Sequence, residues 1–249
     1  MDEEIIKLKQ LIEKSSNIVF FSGAGVSTES GLKDFRSDDG LYNEQYKYPP
    51  ETILSHTFFV KMTKEFYKYY FDKMINTGVK PNSAHKIIAK LEEVGKVKAV
   101  ITQNIDGLHQ AAGSKNVIEL HGSVHRNYCM TCGKFYSLED ILLKKGDGVP
   151  RCNCGGIIKP DVVLYEEGLD EDNIIKAISA CENADLVIVV GTSLNVYPAA
   201  GFLRYVSGKL AIINKQQTSY DSRCDVVIHD KIGKVLSIAC EDLLQGENQ

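Results

Sequence analysis

Two pairs of cysteines have the spacing of a metal site. The segments YCMTCGKF and PRCNCGGI contain Cys129 with Cys132 and Cys152 with Cys154. Four thiolates fill the tetrahedral shell of a zinc ion and leave no coordination position for water. The pattern therefore predicts one structural zinc ion that stabilises a module with little core of its own. Because the second pair is a tight C-x-C, four buried free thiols are the alternative.

Polar residues that could bind ligands or move protons follow several apolar runs. Val97 to Thr102 is followed by Gln103-Asn104-Ile105-Asp106, and Val117 to Leu120 by His121-Gly122. Other runs are followed by Gly23-Ala24-Gly25, Gly191-Thr192-Ser193 and Asn214. In open α/β sheets, ligands bind beyond the carboxyl ends of the strands. We therefore expect these residues to line one crevice.

The glycine-rich segment NIVFFSGAGVSTESGLKDFR reads as a strand, a turn and a helix. Glycines allow close approach to a pyrophosphate, and a helix N-terminus favours its charge. Thr28 stands at the third glycine position, and no ribose-binding acid is clearly placed, which disfavours an ordinary dehydrogenase. A tight turn without a ligand is the alternative. In Asp34-Phe35-Arg36, the aromatic ring and the guanidinium could cover a ring and a phosphate, or lie in a surface loop.

The elements that must position these groups are short runs rich in β-branched residues, with helical segments between them. Their near-continuous apolar character indicates strands buried on both faces, and hence a parallel α/β sheet. The runs are Asn17 to Phe21, Lys98 to Thr102, Val117 to Leu120, Leu186 to Val190, Leu210 to Ile213 and Val226 to Ile228. Two segments interrupt the pattern: residues 36–76, with the helical EFYKYYFDKM, and the cysteine-containing residues 124–160.

The bulk composition excludes several classes of protein. A chain of 249 residues with a net charge of −4 has no polycationic surface for nucleic acid. The N-terminal MDEEIIKLKQLIEKS predicts an amphipathic helix rather than a signal peptide, and no apolar run is long enough to cross a bilayer. The chain has seven cysteines but no export signal, and disulfides are disfavoured because they persist mainly in exported proteins. We interpret Cys181, Cys224 and Cys240 as packing residues.

Taken together, these motifs resemble those of a sirtuin, an NAD-dependent protein-lysine deacetylase of the bacterial type. The matching segments are GAGVST, DFR, TQNIDGLHQAAG, ELHGS, the cysteine pairs, KPDVVLYEE, GTSLNVYPAA and IIN. They occur in family order from residue 23 to residue 214, which covers most of the chain. The resemblance implies a Rossmann-like NAD-binding lobe made of residues 1–35, 77–123 and 161–249. It also implies a small lobe made of the helical insert 36–76 and the zinc module 124–160.

The resemblance also assigns roles to individual residues. It implies NAD contacts at Gly23, Ala24, Gly25, Thr28, Asp34, Phe35, Arg36, Gln103, Asn104, Ile105, Asp106, His121, Gly191, Thr192, Ser193, Asn214 and Ile232. Among these, the carboxamide of nicotinamide is assigned to Ile105 and Asp106, and a ribose with an ordered water to Gln103 and Asn104. An acetyl-lysine peptide is expected between two strand segments, Val162-Val163-Leu164-Tyr165 and Asn195-Val196-Tyr197.

The implied catalytic residues are His121 and Asn104. The acetyl oxygen attacks the ribose carbon as nicotinamide leaves, and His121 then acts as the general base for attack of a ribose hydroxyl on the imidate. The products are the deacetylated lysine and O-acetyl-ADP-ribose. The other histidines, at positions 56, 85, 109, 125 and 229, are interpreted as structural.

Three departures from the family pattern bear on specificity. Lys33 replaces a frequent proline, and we expect it to loosen the empty cofactor loop. Glu166 occupies a position that is usually glycine, beside the peptide segment. Deacylases that remove succinyl or malonyl groups have Tyr-x-x-Arg on the insert, whereas this chain has Tyr67 and Tyr70. An acyl carboxylate would lack its partner there, so we expect uncharged acyl groups, acetyl first, to be preferred.

Other functions remain as alternatives. A mono-ADP-ribosyltransferase would use the same NAD site. A module that only binds NAD or ADP-ribose would need no general base beside the ribose, whereas one is predicted here. A nicotinamide-dependent dehydrogenase would need an acidic residue that binds the ribose, and none is clearly placed. A nucleic-acid finger is disfavoured by the acidic chain. The expected partners are acetylated proteins or peptides, and the chain is expected to be a cytoplasmic monomer without membrane or nucleic-acid partners.

Overall fold

The computed structural model describes residues 2–34, 40 and 46–245. Phe35 and Arg36, both predicted to contact the cofactor, lie outside the described residues. The chain begins with helix α1 (Glu3–Lys14), and the Asp2 side chain caps it by accepting a hydrogen bond from the amide of Glu4. The helix buries Ile5, Leu8 and Ile12, as an amphipathic pattern requires. The prediction of an N-terminal amphipathic helix is confirmed.

The main element is a six-stranded sheet in which every neighbouring pair is parallel. The strands are β1 (Ile18–Ser22), β2 (Val97–Thr102), β3 (Val117–Glu119), β7 (Leu186–Val190), β8 (Lys209–Ile213) and β9 (Val226–Ile228). Their order is β3-β2-β1-β7-β8-β9. All six predicted strands are confirmed, each within one residue at either end. Because the strand order reverses between β1 and β7, their carboxyl ends form the topological switch point of the sheet.

Both faces of this sheet are covered, which explains the near-continuous apolar runs. Phe20 belongs to a core cluster on one face, and its neighbour Phe21 belongs to a cluster on the other. The first face packs against α1, α5 (Ser83–Glu93) and α9 (Ile232–Ala239). The second packs against α8 (Glu171–Asn183) and a 3₁₀ helix, Ala199–Tyr205.

A second, antiparallel sheet has the order β5-β4-β6. Its strands are β4 (Gly122–Cys129), β5 (Phe135–Ser137) and β6 (Ile158–Val162). In the described part of the insert, the helical segments are α2 (Pro50–Ile53), α3 (His56–Lys61), α4 (Thr63–Tyr69) and a π-helical turn, Tyr70–Met74. These segments and the small sheet share a third core cluster, which runs from Ile53 to Leu164. The helix predicted for EFYKYYFDKM, residues 65–74, is confirmed by α4 and the π-helical turn.

The remaining helices are short: α6 (Leu108–Ala112), α7 (Leu138–Leu143), α10 (Glu241–Gln245) and a 3₁₀ turn, Asp221–Arg223. The segment after the glycine-rich turn is also a 3₁₀ helix, Ala24–Ser30, and not an α-helix. Among the described helices, none combines the length and the apolar character that a bilayer-spanning segment needs.

Candidate active site and zinc centre

The glycine-rich turn lies at the switch point, where the ends of β1 and β7 meet. The amide of Gly23 donates to the carbonyl of Val190 (3.1 Å), and the amide of Gly25 donates to that of Gly191 (2.8 Å). A Cβ on Gly25 would lie 2.7 Å from the Cα of Gly191, which is closer than carbon atoms can approach. Glycine is therefore needed here so that two strand ends can touch, a reason that the sequence does not reveal. Ala24 and Thr28 stay partly exposed beside this contact.

The polar residues after β2 form one hydrogen-bonded network with the turn. The Asn104 side-chain amide donates to Ser27 Oγ (3.1 Å), and Ser27 Oγ donates to Asp106 Oδ2 (2.7 Å). The other oxygen of Asp106 accepts from the amide of Leu108 (2.9 Å). Asn104 is only 8% exposed, so its amide is held in one orientation. Ser27 was not among the site residues predicted from the sequence. The only signal for it was its position inside the GAGVST motif.

The same edge of the sheet links β2 to β7. The Gln103 side-chain amide donates to Thr192 Oγ1 (3.1 Å), which also accepts from the amide of Leu194 (3.3 Å). Ser193 lies partly exposed in this turn. Three strand ends, those of β1, β2 and β7, thus meet as predicted.

His121 lies in the short connection between β3 and β4, and so between the two sheets. Its Nδ1 is 2.9 Å from the carbonyl oxygen of Gln103. A carbonyl can only accept, so Nδ1 carries the proton. Burial lowers the pKa of His121, and the hydrogen bond to Gln103 only partly offsets that effect. The ring is therefore neutral near pH 7, and the lone pair of Nε2 can accept a proton.

The backbone around His121 is fixed by contacts with the small sheet. The amide of Val163 donates to the carbonyl of His121 (3.0 Å). Gly122 adopts φ +74°, and a Cβ there would lie 1.9 Å from the carbonyl oxygen of Asp161. Further along β4, the amide of Val124 donates to the carbonyl of Ile105 (3.0 Å). The histidine is thus tied to the segment after β6 and to the turn after β2.

The two segments predicted to hold a peptide differ in exposure. Val162 and Leu164 are buried, whereas Val163 is partly exposed and Tyr165 is exposed. Tyr165 pairs with the start of α3, because its amide donates to Leu54 (2.9 Å) and its carbonyl accepts from His56 (3.0 Å). In the second segment Asn195 and Tyr197 are exposed and Val196 is partly exposed.

The more distant predicted contacts lie at the ends of β8 and β9. The carbonyl of Asn214 accepts from the His229 ring (2.9 Å), and its side-chain amide donates to the carbonyl of Gln216 (2.8 Å). Ile232, the first residue of α9, is 5% exposed and belongs to the core on one face of the sheet. A ligand could therefore meet its backbone but hardly its side chain. Asp34 is partly exposed at the edge of the described segment.

The four cysteines of the predicted zinc site converge. Their sulfur atoms all lie within 4.8 Å of one another. Three of the Sγ–Sγ distances are 3.5 Å for Cys129 and Cys154, 3.6 Å for Cys132 and Cys152, and 3.5 Å for Cys132 and Cys154. Zinc–sulfur bonds of about 2.3 Å in a tetrahedron require about 3.8 Å between ligands. The spacing fits one zinc ion with four thiolate ligands.

The cysteines outside this cluster pack as predicted. Cys181 and Cys240 are fully buried in opposite core clusters, and Cys224 is partly buried. Burial raises the pKa of each thiol to about 12, so all three stay protonated near neutral pH.

The other five histidines have structural surroundings. His56 contacts Glu167 (2.9 Å), and His229 contacts Asp221 (3.2 Å). His125 Nε2 is 3.1 Å from the carbonyl of Asp106. The rings of His85 and His109 pack against each other with their centroids 4.8 Å apart, and His109 is hydrogen-bonded to Ser22 (2.9 Å). Burial, and to a smaller extent the ring of His85, lowers the pKa of His109 to about 3.

Comparisons with known proteins agree with this geometry. The model of the Sir2 family matches residues 23–198. An NAD-dependent protein deacetylase of Clostridium acetobutylicum is 58% identical over 238 residues, 94% of this chain and 97% of that protein. A solved structure described as Sir2 with a p53 peptide and NAD+ superimposes with a TM-score of 0.87 at 38% identity, covering 97% of this chain and 98% of the other. Another, described as Sir2 bound to acetylated peptide, has a TM-score of 0.87 at 37% identity and the same coverage of both chains. The chain belongs to the Sir2 family, the sirtuins.

Proposed function

We propose that this protein removes acetyl groups from lysine side chains of other proteins in a reaction that consumes NAD. The observation that carries the proposal is the geometry of His121, a neutral imidazole whose Nδ1–H is fixed by Gln103. Among the described residues, none forms a hydrogen bond with Nε2, and the carbonyl of His121 contacts the segment after β6. Family membership and the name of the Clostridium relative support the same activity.

The residues at the switch point fit a dinucleotide. We assign the pyrophosphate to the partly exposed turn of Ala24, Gly25 and Thr28, and the adenosine half to Thr192, Ser193 and Asn214. When bound, NAD supplies the ADP-ribosyl group that accepts the acetyl group, and nicotinamide leaves. The buried network through Ser27 holds Asn104 and Asp106, so that these two orient the ribose and the carboxamide with little reorganisation.

His121 acts as the general base. Because Nδ1–H is held by a carbonyl, Nε2 is the only ring nitrogen that can take a proton from a ribose hydroxyl. Burial keeps the ring neutral, and therefore competent as a base, at and somewhat below neutral pH.

The acetylated peptide is proposed to lie between the segments 162–165 and 195–197. Among the described residues, the carbonyl of Val163 and the amide of Glu166 have no hydrogen-bond partner, so they are available to pair with an extended chain. The division into an NAD-binding lobe and a small lobe is part of this proposal, and the separate third core cluster supports it. The boundaries proposed at 124 and 160 fall inside β4 and β6.

The zinc ion is proposed to be structural, because four thiolates leave no position for a substrate. A four-thiolate site is stable in a reducing compartment, which favours the cytoplasm.

Acetyl and other uncharged acyl groups are the proposed substrates. Tyr67 and Tyr70 are fully buried, and the hydroxyl of Tyr67 donates to the carbonyl of Ile158. Burial raises the pKa of both phenols, so both stay neutral, and a tyrosine cannot supply the positive charge that an acyl carboxylate would need. Turnover of a succinyl-lysine peptide as fast as that of its acetyl counterpart would overturn this part of the proposal.

The test is mass spectrometry of an acetyl-lysine peptide incubated with the protein, with and without NAD. We expect NAD-dependent loss of the acetyl group together with release of nicotinamide and formation of acetylated ADP-ribose. The His121→Ala variant should be slower by about 10²- to 10⁴-fold, the usual contribution of a general base. His56→Ala, which removes an exposed ring bound to Glu167, serves as the control. Transfer of ADP-ribose to protein without loss of acetyl would instead identify a mono-ADP-ribosyltransferase.

A further inference from the structure

Glu166 has a backbone conformation that is rare for its residue type. Its φ is +75°, and Leu194 is the only other described residue besides glycine with a positive φ. A side chain in the left-handed region is disfavoured by contact between Cβ and the following carbonyl. Glycine would avoid this strain, so the conformation points to a functional role of the glutamate side chain.

The Glu166 carboxylate is held in place by the start of α3. Its Oε2 accepts a hydrogen bond from the amide of Thr57 (2.9 Å). A hydrogen bond with the side chain of Thr57, followed by one with its backbone, lowers the pKa of Glu166. The group is therefore anionic throughout the neutral range and points to a defined place.

That place is a cleft of about 420 Å³ between the segments 51–62 and 165–166. Its lining includes the apolar side chains of Phe58 and Met62 and the charged side chains of Glu51, Lys61 and Glu166. The two carboxylates and the one ammonium group give the lining of the cleft a net charge of −1. The neighbouring Glu167 adds none, since it is already paired with Lys159 (3.2 Å).

The cleft continues the segment 162–165, which the proposed function assigns to the acetylated peptide. Tyr165 belongs both to that segment and to the lining of the cleft, so a peptide paired along the segment would place a flanking side chain next to the cleft. Apolar walls suit the methylene stem of lysine or arginine, and a fixed carboxylate at the rim suits its charged end.

We infer that Glu166 makes the enzyme select peptides that carry a lysine or arginine close to the acetylated lysine. This inference rests on the proposed deacetylase function and names the class of substrate sequence that the site takes. An exposed ion pair of this kind changes kcat/KM by about two- to fivefold.

The experiment uses acetyl-lysine peptides that are identical except at one flanking position, which is lysine, alanine or glutamate in turn. Each set is measured with the wild-type protein and with Glu166→Gln, which keeps the size and the hydrogen-bond acceptor but removes the charge. Glu166→Gly, which also removes the strain, is the second variant. Glu182→Gln, at an exposed glutamate on α8, is the matched control.

At one flanking position we expect the wild type and Glu182→Gln to prefer lysine over alanine by about two- to fivefold in kcat/KM, mainly through KM. Both Glu166 variants should lose this preference, and added salt should weaken it in the wild type. Equal preferences in the wild type and Glu166→Gln, or no charge preference at any position, would overturn the inference while leaving the deacetylase function standing. Failure to remove acetyl from any peptide would refute the deacetylase function itself.

Discussion

Ser27 offers the sharpest test of how the site is positioned. Replacing it with alanine removes one hydroxyl that joins the Asn104 amide to the Asp106 carboxylate. The 2.7 Å bond to a carboxylate contributes about 1.5–3 kcal/mol, and the 3.1 Å bond between neutral groups about 0.5–1.5 kcal/mol. Removing both costs about 2–4 kcal/mol in total.

This loss divides between folding and catalysis. Asn104 is buried, so part of the cost is an unsatisfied amide in the folded protein, and we expect the free energy of unfolding to fall by about 1–2 kcal/mol. The remaining loss of about 1–2 kcal/mol is lost positioning of two residues that bind NAD only when correctly oriented. At about 1.4 kcal/mol for each factor of ten, kcat/KM for NAD should fall about fivefold to thirtyfold.

The assay is nicotinamide release with NAD varied at a saturating concentration of acetyl-lysine peptide, together with urea unfolding of the same preparations. Ser30→Ala is the matched control, because its hydroxyl lies in the same 3₁₀ helix but accepts from Asn82 (3.0 Å) instead. A folded Ser27→Ala protein with wild-type kcat/KM for NAD would refute the positioning role of the network.

Three further predictions concern stability. Cys152→Ser should lower bound zinc from one ion per chain and reduce the Tm, as measured by metal analysis and calorimetry; unchanged metal content would contradict the four-thiolate site. Gly25→Ala should cost about 1–3 kcal/mol because its Cβ meets Gly191, whereas Gly31→Ala should cost only about 1 kcal/mol of backbone strain; equal losses in urea unfolding would contradict the steric argument. Burial opposes ionisation of Asp185, but the backbone amides of Ser16 and Asn17 donate hydrogen bonds to its carboxylate. These hydrogen bonds outweigh the effect of burial and lower the pKa of Asp185. Its stabilisation is present above the unfolded pKa of about 4 and is lost as the pH falls below that value, so the gap in unfolding free energy between wild type and Asp185→Asn should shrink from pH 7 to pH 3.

The strands and the zinc ligands could be predicted because their signals are local. A run such as Leu186 to Val190 is apolar throughout, and only a strand covered on both faces suits a segment of that length. The cysteine pairs are equally local, since each pair lies on one short turn. Family motifs added the candidate residues around His121, although their roles in NAD and peptide binding stay predictions.

Other features depended on residues far apart in the chain. The sequence predicted a helix after the glycine-rich turn, and only the structure shows that it is a 3₁₀ helix, which starts where Gly25 packs on Gly191. Ser27 gave no separate signal, because its partners lie about 80 residues away.

The sequence by itself determined the class of fold, the strand positions and the four thiolates, because apolar patterning and ligand spacing act over a few neighbouring residues. Only the tertiary structure decided the order of the strands, the tautomer of His121 and the direction of the Glu166 carboxylate. Each of these is set by a contact between segments that meet only after the chain has folded. Hydrogen bonds to Gln103 and Thr57 are examples, and no local preference of the histidine or the glutamate encodes them.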